Sequence, residues 1–393
     1  MPRLAVFLWS DKRGGGIQSR RVDLARVWKR HGVETVFFSV KGSGASVIPP
    51  EEFAAVTLLG QGDGGQRRRE FVRALRENRF DCILVGSPRT VLVALLCKVL
   101  FMRDTRLVVS RHNSLRSVDG GLKGWLSDRF NQLALRSARR WIGGYIAVSN
   151  GVRDHMRRYL GIPAQREITV IYNAFDVSRA PAAGAGFHHP RRFVLGVGRL
   201  RRQKGFDMLI RAFASADLAG TDLLIAGEGS DRDSLAALCT ELGVADRVVF
   251  LGYRADVLEL MRAASCFVLS SRWEGFGNVL VEALAAQVPI VSFDCPHGPR
   301  EILADGRFGL LVEPENTEAL ARAIEHQVRS GDGRNLRWRD FSLEQSARRY
   351  MEVMLPGQPL PDGDADQGTA PMGSASRDEA ATRTLDRPET EAG

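Results

Sequence analysis

The sequence predicts an α/β protein made of two doubly wound domains with parallel sheets, and three observations predict it. Short apolar runs alternate with helix-like segments from end to end. The runs are continuously apolar, as strands covered on both faces are. The alternation breaks once and then starts again, with linker-like composition at the break. At 393 residues the chain exceeds one ordinary domain, which agrees with two.

The first series of strands reads as Leu4–Trp9, Thr35–Val40, Cys82–Gly86, Leu107–Ser110, Tyr145–Val148 and Ile168–Tyr172. Helical patterns lie between several of them, at Gln18–Arg30 and Trp125–Arg139. The second series reads as Phe193–Val197, Leu223–Ala226, Val248–Leu251, Phe267–Ser270, Ile290–Phe293 and Leu310–Val312. Its helices fall at Phe206–Ala216, Asp231–Leu242 and Val257–Ala264. Domain boundaries follow: 1–176 for the first domain, 177–192 for a linker and 193–337 for the second domain. Residues 338–355 form a C-terminal helix that is a candidate for crossing back to the first domain. The stretch Ala180–Gly186 (APAAGAG) is the most linker-like part of the break. From 356 to 393 the chain is Pro, Gly, Asp, Ser and Thr with few large apolar residues, which predicts a disordered tail.

Five cysteines, Cys82, Cys97, Cys239, Cys266 and Cys295, are scattered and lack a CxxC pair. They read as reduced, structural thiols in a cytoplasmic protein. Leu4 to Trp9 is followed at once by Asp11-Lys12-Arg13, which fits a strand better than a signal core. The longest apolar stretch, Val91 to Met102, is interrupted by Lys98 and falls short of the ~20 residues a spanning helix needs. Charge is uneven. Residues 1–180 hold 31 Lys/Arg against 15 Asp/Glu, while residues 181–355 hold 21 against 23. The basic first half therefore has an anionic partner, with nucleic acid, an acidic bilayer surface and a pyrophosphate-linked substrate all in view.

The chemistry concentrates in Ser271-Arg272-Trp273-Glu274-Gly275-Phe276-Gly277-Asn278-Val279-Leu280-Val281-Glu282. This segment leaves a strand and opens a helix. Gly275 and Gly277 allow close backbone approach, and the helix N-terminus offers unpaired N–H groups to an anion such as a diphosphate. Glu274 in the loop and Glu282 in the helix can face one crevice and accept hydrogen bonds from hydroxyls. Upstream, Gly198-Arg199 ends a strand, and Lys204 follows within one loop. A guanidinium fork and a point charge suit a pyrophosphate. Gly227-Glu228-Gly229 ends the next strand, and Tyr253 in Gly252-Tyr253-Arg254 can wall a base pocket. Asp231-Arg232-Asp233 reads as helix capping rather than a metal site, so no metal is expected.

Together GVGRLRRQKG, LLIAGEGS, RVVFLGY, SRWEGFGNVLVEALA and CPHGPREIL resemble the retaining glycosyltransferases of family 4, over about residues 3–350. That resemblance implies the GT-B fold, in which two Rossmann-like domains face each other across a cleft. It also implies a nucleotide-sugar donor, no cofactor, and site roles at matching positions. Glu274 contacts donor-sugar hydroxyls, helped by amides of Gly275, Phe276 and Gly277 beside Asn278. Glu282 holds the ribose, while Arg199 and Lys204 neutralise the diphosphate. Gly15 and Gly16, in the Gly14-Gly15-Gly16 loop, match a glycine loop over the donor phosphates, and His112 matches a histidine near the donor sugar. The segments Trp273–Asn278 and Asp294–Glu301 look like a branch that adds N-acetylhexosamine, galactose or related sugars to polyprenol-diphosphate-linked or other surface glycans. For that branch the expected donor is UDP-linked and the acceptor a glycan or lipid-linked glycan. The reaction expected from the family is front-side displacement with retention.

Two other classes fit less well. A NAD-dependent oxidoreductase needs GxGxxG after the first strand, where this chain has Gly14-Gly15-Gly16 without a third spaced glycine. A nucleic-acid module would use Arg67-Arg68-Arg69, Arg139-Arg140 and Arg157-Arg158, but no recognition motif with interleaved aromatics accompanies them. Those arginines read as solvated helix faces or as peripheral contacts to the anionic cytosolic face of a membrane, and nucleic acid is not expected as a partner.

Overall fold

A computed structural model describes residues 1–11, 16–42, 46–59, 63–112, 121–176 and 186–358. In the first domain the order is β1 (Arg3–Ser10), α1 (Gly16–Arg30), β2 (Glu34–Lys41), β3 (Ala54–Leu59), α2 (Gly64–Glu77), β4 (Cys82–Val85) and α3 (Pro88–Phe101). It continues with β5 (Arg106–Arg111), α4 (Gly121–Ala138), β6 (Gly144–Ala147), α5 (Asn150–Leu160) and β7 (Thr169–Val170). These seven strands form one parallel sheet in the order β3-β2-β1-β4-β5-β6-β7.

The second domain runs β8 (Arg192–Val197), α6 (Phe206–Ser215), β9 (Thr221–Ala226), α7 (Arg232–Glu241), β10 (Val248–Gly252), α8 (Val257–Ala263) and β11 (Cys266–Leu269). Then come α9 (Asn278–Ala286), β12 (Ile290–Phe293), α10 (Pro299–Ile302), β13 (Leu310–Val312) and α11 (Thr317–Ser330). Its six parallel strands take the order β10-β9-β8-β11-β12-β13. A short 3₁₀ turn, Arg337–Phe341, leads to α12 (Leu343–Met354), which packs on α1 and on β5 and β6 of the first sheet.

Burial explains which strands the sequence displays. The inner strands β4, β9, β11 and β12 are buried at every residue, so apolar residues dominate them, with Thr221 and Asp222 at the start of β9 and Ser292 in β12 as buried polar exceptions. The edge strand β3, Ala54–Leu59 (AAVTLL), has no buried residue although its residues are apolar but for Thr57, and the sequence reading leaves it and its helix α2 unassigned. The apolar stretch at Val91 proves to be α3, which opens on a capping box between Ser87 and Thr90. The helix read as Trp125–Arg139 runs over Gly121–Ala138. Asp231 does stand at the start of α7, but its side chain caps no helix amide, because the backbone there (φ −92°, ψ 7°) is not the extended conformation of a capping residue; its carboxylate instead accepts from Ser230 Oγ at 2.8 Å. All five cysteines are buried and unpaired. The linker residues 177–185 and the tail from 359 lie outside the described residues.

Both sheets reverse strand order in the middle, β1 against β4 and β8 against β11. Open α/β sheets bind ligands at such switch points, beyond the carboxyl ends of the strands. In the second sheet those ends carry Gly198-Arg199 after β8 and Ser270-Ser271 after β11. Right-handed crossovers place α2, α3, α4 and α5 together on one face of the first sheet, with α1 and α12 on the other.

Candidate functional site

Lys204 owes its place to the glycine that follows it. Gly205 has φ +62°, and a Cβ there would stand 2.1 Å from the carbonyl oxygen of Ser270. Only glycine lets this turn lie against the end of β11, where Ser270 Oγ donates to the Lys204 carbonyl at 3.0 Å. Gly198 lies against the aliphatic stem of Lys204. The ammonium then reaches Glu274 Oε1 at 2.5 Å, and Ser271 Oγ donates to the same oxygen at 2.7 Å. Glu274's side chain is 9% exposed, so the pair is largely withdrawn from water. Its other oxygen, Oε2, takes no hydrogen bond among the described residues.

The loop after Glu274 is held from several sides. Glu274 N–H donates to the Pro296 carbonyl at 2.6 Å, and Ser149 Oγ donates to the Gly275 carbonyl at 2.9 Å. Tyr172 stacks on Phe276, with ring centroids 5.5 Å apart. Gly277 precedes α9, and no side chain caps that helix. Among the described residues no carbonyl takes the amides of Gly275, Phe276 or Gly277, so they stand with the positive end of the α9 dipole as a set of donors.

Glu282 lies one turn into α9, and Arg20 of α1 reaches its Oε1 at 3.3 Å across the cleft. Burial holds the Glu282 carboxyl above its ordinary pKa, and the Arg20 and Lys204 cations partly offset that. His112 follows the end of β5 and is 7% exposed. Arg21 Nη2 lies 2.9 Å from its Nε2, and Asn173 Oδ1 lies 3.1 Å from its Nδ1. A guanidinium can only donate, so Nε2 accepts and Nδ1–H donates to Asn173. Asn173 Nδ2 in turn donates to Asn278 Oδ1 at 2.9 Å. One chain of hydrogen bonds thus runs from α1 through His112 to the first residue of α9. Desolvation, then the Arg21 and Arg111 cations, push the imidazole pKa well below its usual value. The ring is neutral with both nitrogens engaged, which suits positioning rather than proton transfer.

The structure therefore brings together Lys204, Glu274, Gly275, Phe276, Gly277, Asn278, Glu282 and, through Asn173, His112. Arg199 is exposed on the turn after β8, and Tyr253 is 70% exposed beyond the edge strand β10. Gly16 is the first residue of α1, while Gly15 lies outside the described residues. Sequence reading missed Arg20, Arg21, Ser149, Asn173 and Glu301. Glu301 accepts from the Asn150 amide (2.8 Å), its side chain (2.8 Å) and the Gly151 amide (3.2 Å) at the start of α5. Four of them, Arg20, Ser149, Asn173 and Glu301, act across the domain boundary, and Arg21 reaches it only through His112 and Asn173, so no local pattern marks them; only Ser149, before the apolar periodicity of α5, left a capping signal. Among the described residues no three His, Cys, Asp or Glu side chains are grouped to hold a metal ion, and no helix is long and apolar enough to cross a membrane.

Two parallel Rossmann-like domains closed on a cation–carboxylate cluster define a GT-B architecture. The family model "Glycosyltransferase Family 4" matches residues 14–179, and "Glycosyl transferases group 1" matches residues 182–339. The chain belongs to the family 4 (group 1) glycosyltransferases. It is 40% identical over 167 residues to the lipopolysaccharide core biosynthesis glycosyltransferase LpsE of Rhizobium meliloti, covering 42% of this chain and 48% of LpsE. It is 36% identical over 163 residues to N-acetylgalactosamine-N,N'-diacetylbacillosaminyl-diphospho-undecaprenol 4-alpha-N-acetylgalactosaminyltransferase of Campylobacter jejuni, covering 41% of this chain and 44% of that one. The matches thus span about half the length of these curated relatives. Among solved structures, Anabaena Alr3699/HepE in complex with UDP superposes with a TM-score of 0.72 at 23% identity, covering 90% of this chain and 99% of that one. Sucrose-phosphate synthase from Thermosynechococcus elongatus gives 0.73 at 20% identity, covering 90% and 98%. These likenesses establish the fold.

Proposed function

We propose that the chain is a retaining glycosyltransferase. It moves a hexose or N-acetylhexosamine from a UDP-linked donor to a glycan or lipid-linked acceptor of surface polysaccharide biosynthesis, at the cytosolic face of a membrane. The observation that carries this is the Glu274 carboxylate. One oxygen is held by Lys204 and Ser271, and among the described residues the other takes no hydrogen bond and no carbonyl takes the amides of Gly275–Gly277 that follow it in the loop. In this reading Oε2 and those amides take the hydroxyls of the transferred sugar, and Glu282 takes the ribose. Lys204, Arg199 and the α9 N-terminus stabilise the charge that grows on the departing diphosphate, the kind of preorganised term that is usually the largest in catalysis. His112 is held neutral by its surroundings and packs beside the donor sugar as a positioning group. Among the described residues no side chain is placed as a nucleophile, so the departing phosphate oxygen takes the acceptor's proton. The lipid-linked acceptor follows the Campylobacter relative, whose name gives an undecaprenol-diphosphate-linked acceptor.

The reading is tested by thermal unfolding of the protein against a panel of nucleotide sugars, with and without excess EDTA. The true donor stabilises the fold by about 2.7 kcal/mol at 100-fold excess over Kd. Stabilisation by one UDP-sugar, unchanged by EDTA and followed by product of retained anomeric configuration, supports it. Stabilisation by none of the panel, or only when a divalent ion is added, contradicts it.

A further inference from the structure

Helix α3 departs from the pattern of a surface helix. Val91, Ala94, Leu95 and Cys97 face the core, yet the outward residues are also apolar: Leu96, Val99 and Leu100 are 61%, 42% and 58% exposed. Leu92 and Val93, a turn earlier, are half-buried. Lys98 brings no polar stripe to this side, because its ammonium turns inward and donates to the carbonyls of Arg103 and Thr105, each at 2.5 Å. A helix apolar all round is normally enclosed; this one packs inward on β1, β4 and β5 and sideways on α2 and α4, and its outer face remains open.

The neighbours on that open face are basic. On α2, Arg68, Arg69, Arg73 and Arg76 are exposed around Val72, and the Arg76 guanidinium lies over the Phe101 ring at the end of α3. On the far side, Leu133 of α4 is 68% exposed and Trp141 is 46% exposed under the guanidinium of Arg140. Glu77 is neutralised by its ion pair with Arg73. Arg67, which sequence reading grouped with its two neighbours, is half-buried and already engaged.

We propose that the outer face of α2, α3 and α4 docks this protein on an anionic bilayer. Leu96, Val99 and Leu100 enter the boundary between headgroups and acyl chains, and the arginines of α2 sit on lipid phosphates. Apolar residues flanked by arginines are what that boundary selects. A second copy of the chain would bring like charges face to face. The chain's own segment 359–393 offers Leu360, Met372 and Leu385 as its only large apolar side chains, too few to cover the ridge. The inference rests on the proposed lipid-linked acceptor, which is presented at such a surface, and it names the part of the fold that reaches it.

The test is flotation of the full chain with vesicles of equal parts phosphatidylglycerol and phosphatidylcholine, beside vesicles of phosphatidylcholine alone. Light scattering and UDP calorimetry run in parallel. The wild type binds the anionic vesicles, less so as salt rises. R68Q/R69Q lowers that affinity about twenty-five-fold at low salt, since each arginine near such a surface contributes about fivefold. L96Q/L100Q keeps good helix formers in place and lowers the affinity at least tenfold at every salt concentration. Both variants bind UDP like the wild type. The proposal is overturned if the wild type ignores anionic vesicles at low salt, if L96Q/L100Q binds them normally, or if that variant turns a dimer into a monomer. Loss of UDP binding in the wild type would strike the proposed function and leave the vesicle result standing.

Discussion

Replacing Lys204 with Met removes the ammonium and keeps most of the stem that packs under Gly198. Glu274 is then left 9% exposed with Ser271 as its remaining side-chain partner. Breaking a fully buried pair costs about 3–5 kcal/mol because one charge stays behind uncompensated. Here Lys204 keeps a fifth of its side-chain exposure, so the expected loss is smaller, about 2–3 kcal/mol, or roughly 2–4 °C in Tm for a chain of 393 residues unfolding as one unit. The double variant Lys204→Met/Glu274→Gln removes the stranded charge and should recover most of that stability, since a neutral amide is cheaper to bury. Activity should not recover with it: kcat/KM should stay down by about 2–4 kcal/mol of transition-state stabilisation, roughly 30- to 1000-fold. Urea unfolding of the wild type, both single variants and the double variant gives the coupling energy directly. A Lys204→Met protein as stable as the wild type, or a double variant no more stable than Lys204→Met alone, would refute the account of this pair.

Two further predictions follow from the cleft's electrostatics. His112 has a folded-state pKa well below that of the unfolded chain, so the unfolded state binds more protons as pH falls below about 6.5 and stability falls with it, by up to about 1.4 kcal/mol per pH unit. His112→Asn should flatten that part of the pH–stability curve, and urea midpoints between pH 7 and about pH 5 check it; an unchanged slope sinks the assignment. Arg20 is the nearest cation to Glu282 and restrains the rise in its pKa. Arg20→Ala should therefore move the acid limb of UDP binding to higher pH, and calorimetry across pH that shows no such shift would remove Arg20 from the site.

Much of this was legible in the sequence because the signals are local. In the second domain the strands β8, β9, β11 and β12 are dominated by buried apolar residues, and the glycines and charges of the site directly follow two of them. The turn at Lys204-Gly205 and the loop from Glu274 to Gly277 are short-range devices, so their residues stand out in the sequence, while their roles come from the resemblance to the family 4 glycosyltransferases. What the sequence hid is of two kinds. Edge elements such as β3 bury no residue even where their sequence is largely apolar, so composition alone does not place them. Contacts between domains, Arg20 with Glu282, Glu301 with the start of α5 and Asn173 with Asn278, join residues more than a hundred positions apart, and nothing in either segment announces the other. The outer face of α3 was visible as composition, yet only the fold shows which of its apolar residues remain uncovered.

The division of labour between the two carboxylates is the centre of the account, and UDP calorimetry on Glu274→Gln and Glu282→Gln, beside steady-state kinetics with the nucleotide sugar, tests it most directly. Glu282 is assigned to the ribose, which free UDP and the donor share; Glu274 is assigned to the transferred sugar, which free UDP lacks. Hydrogen bonds to charged groups are worth roughly 1.5–3 kcal/mol, so Glu282→Gln should weaken UDP binding at least tenfold. Glu274→Gln should bind UDP as the wild type does and lose kcat, because its hydrogen bonds orient the reacting centre. If Glu274→Gln loses UDP binding as badly as Glu282→Gln, or if Glu282→Gln binds UDP normally, the roles assigned to this site are wrong.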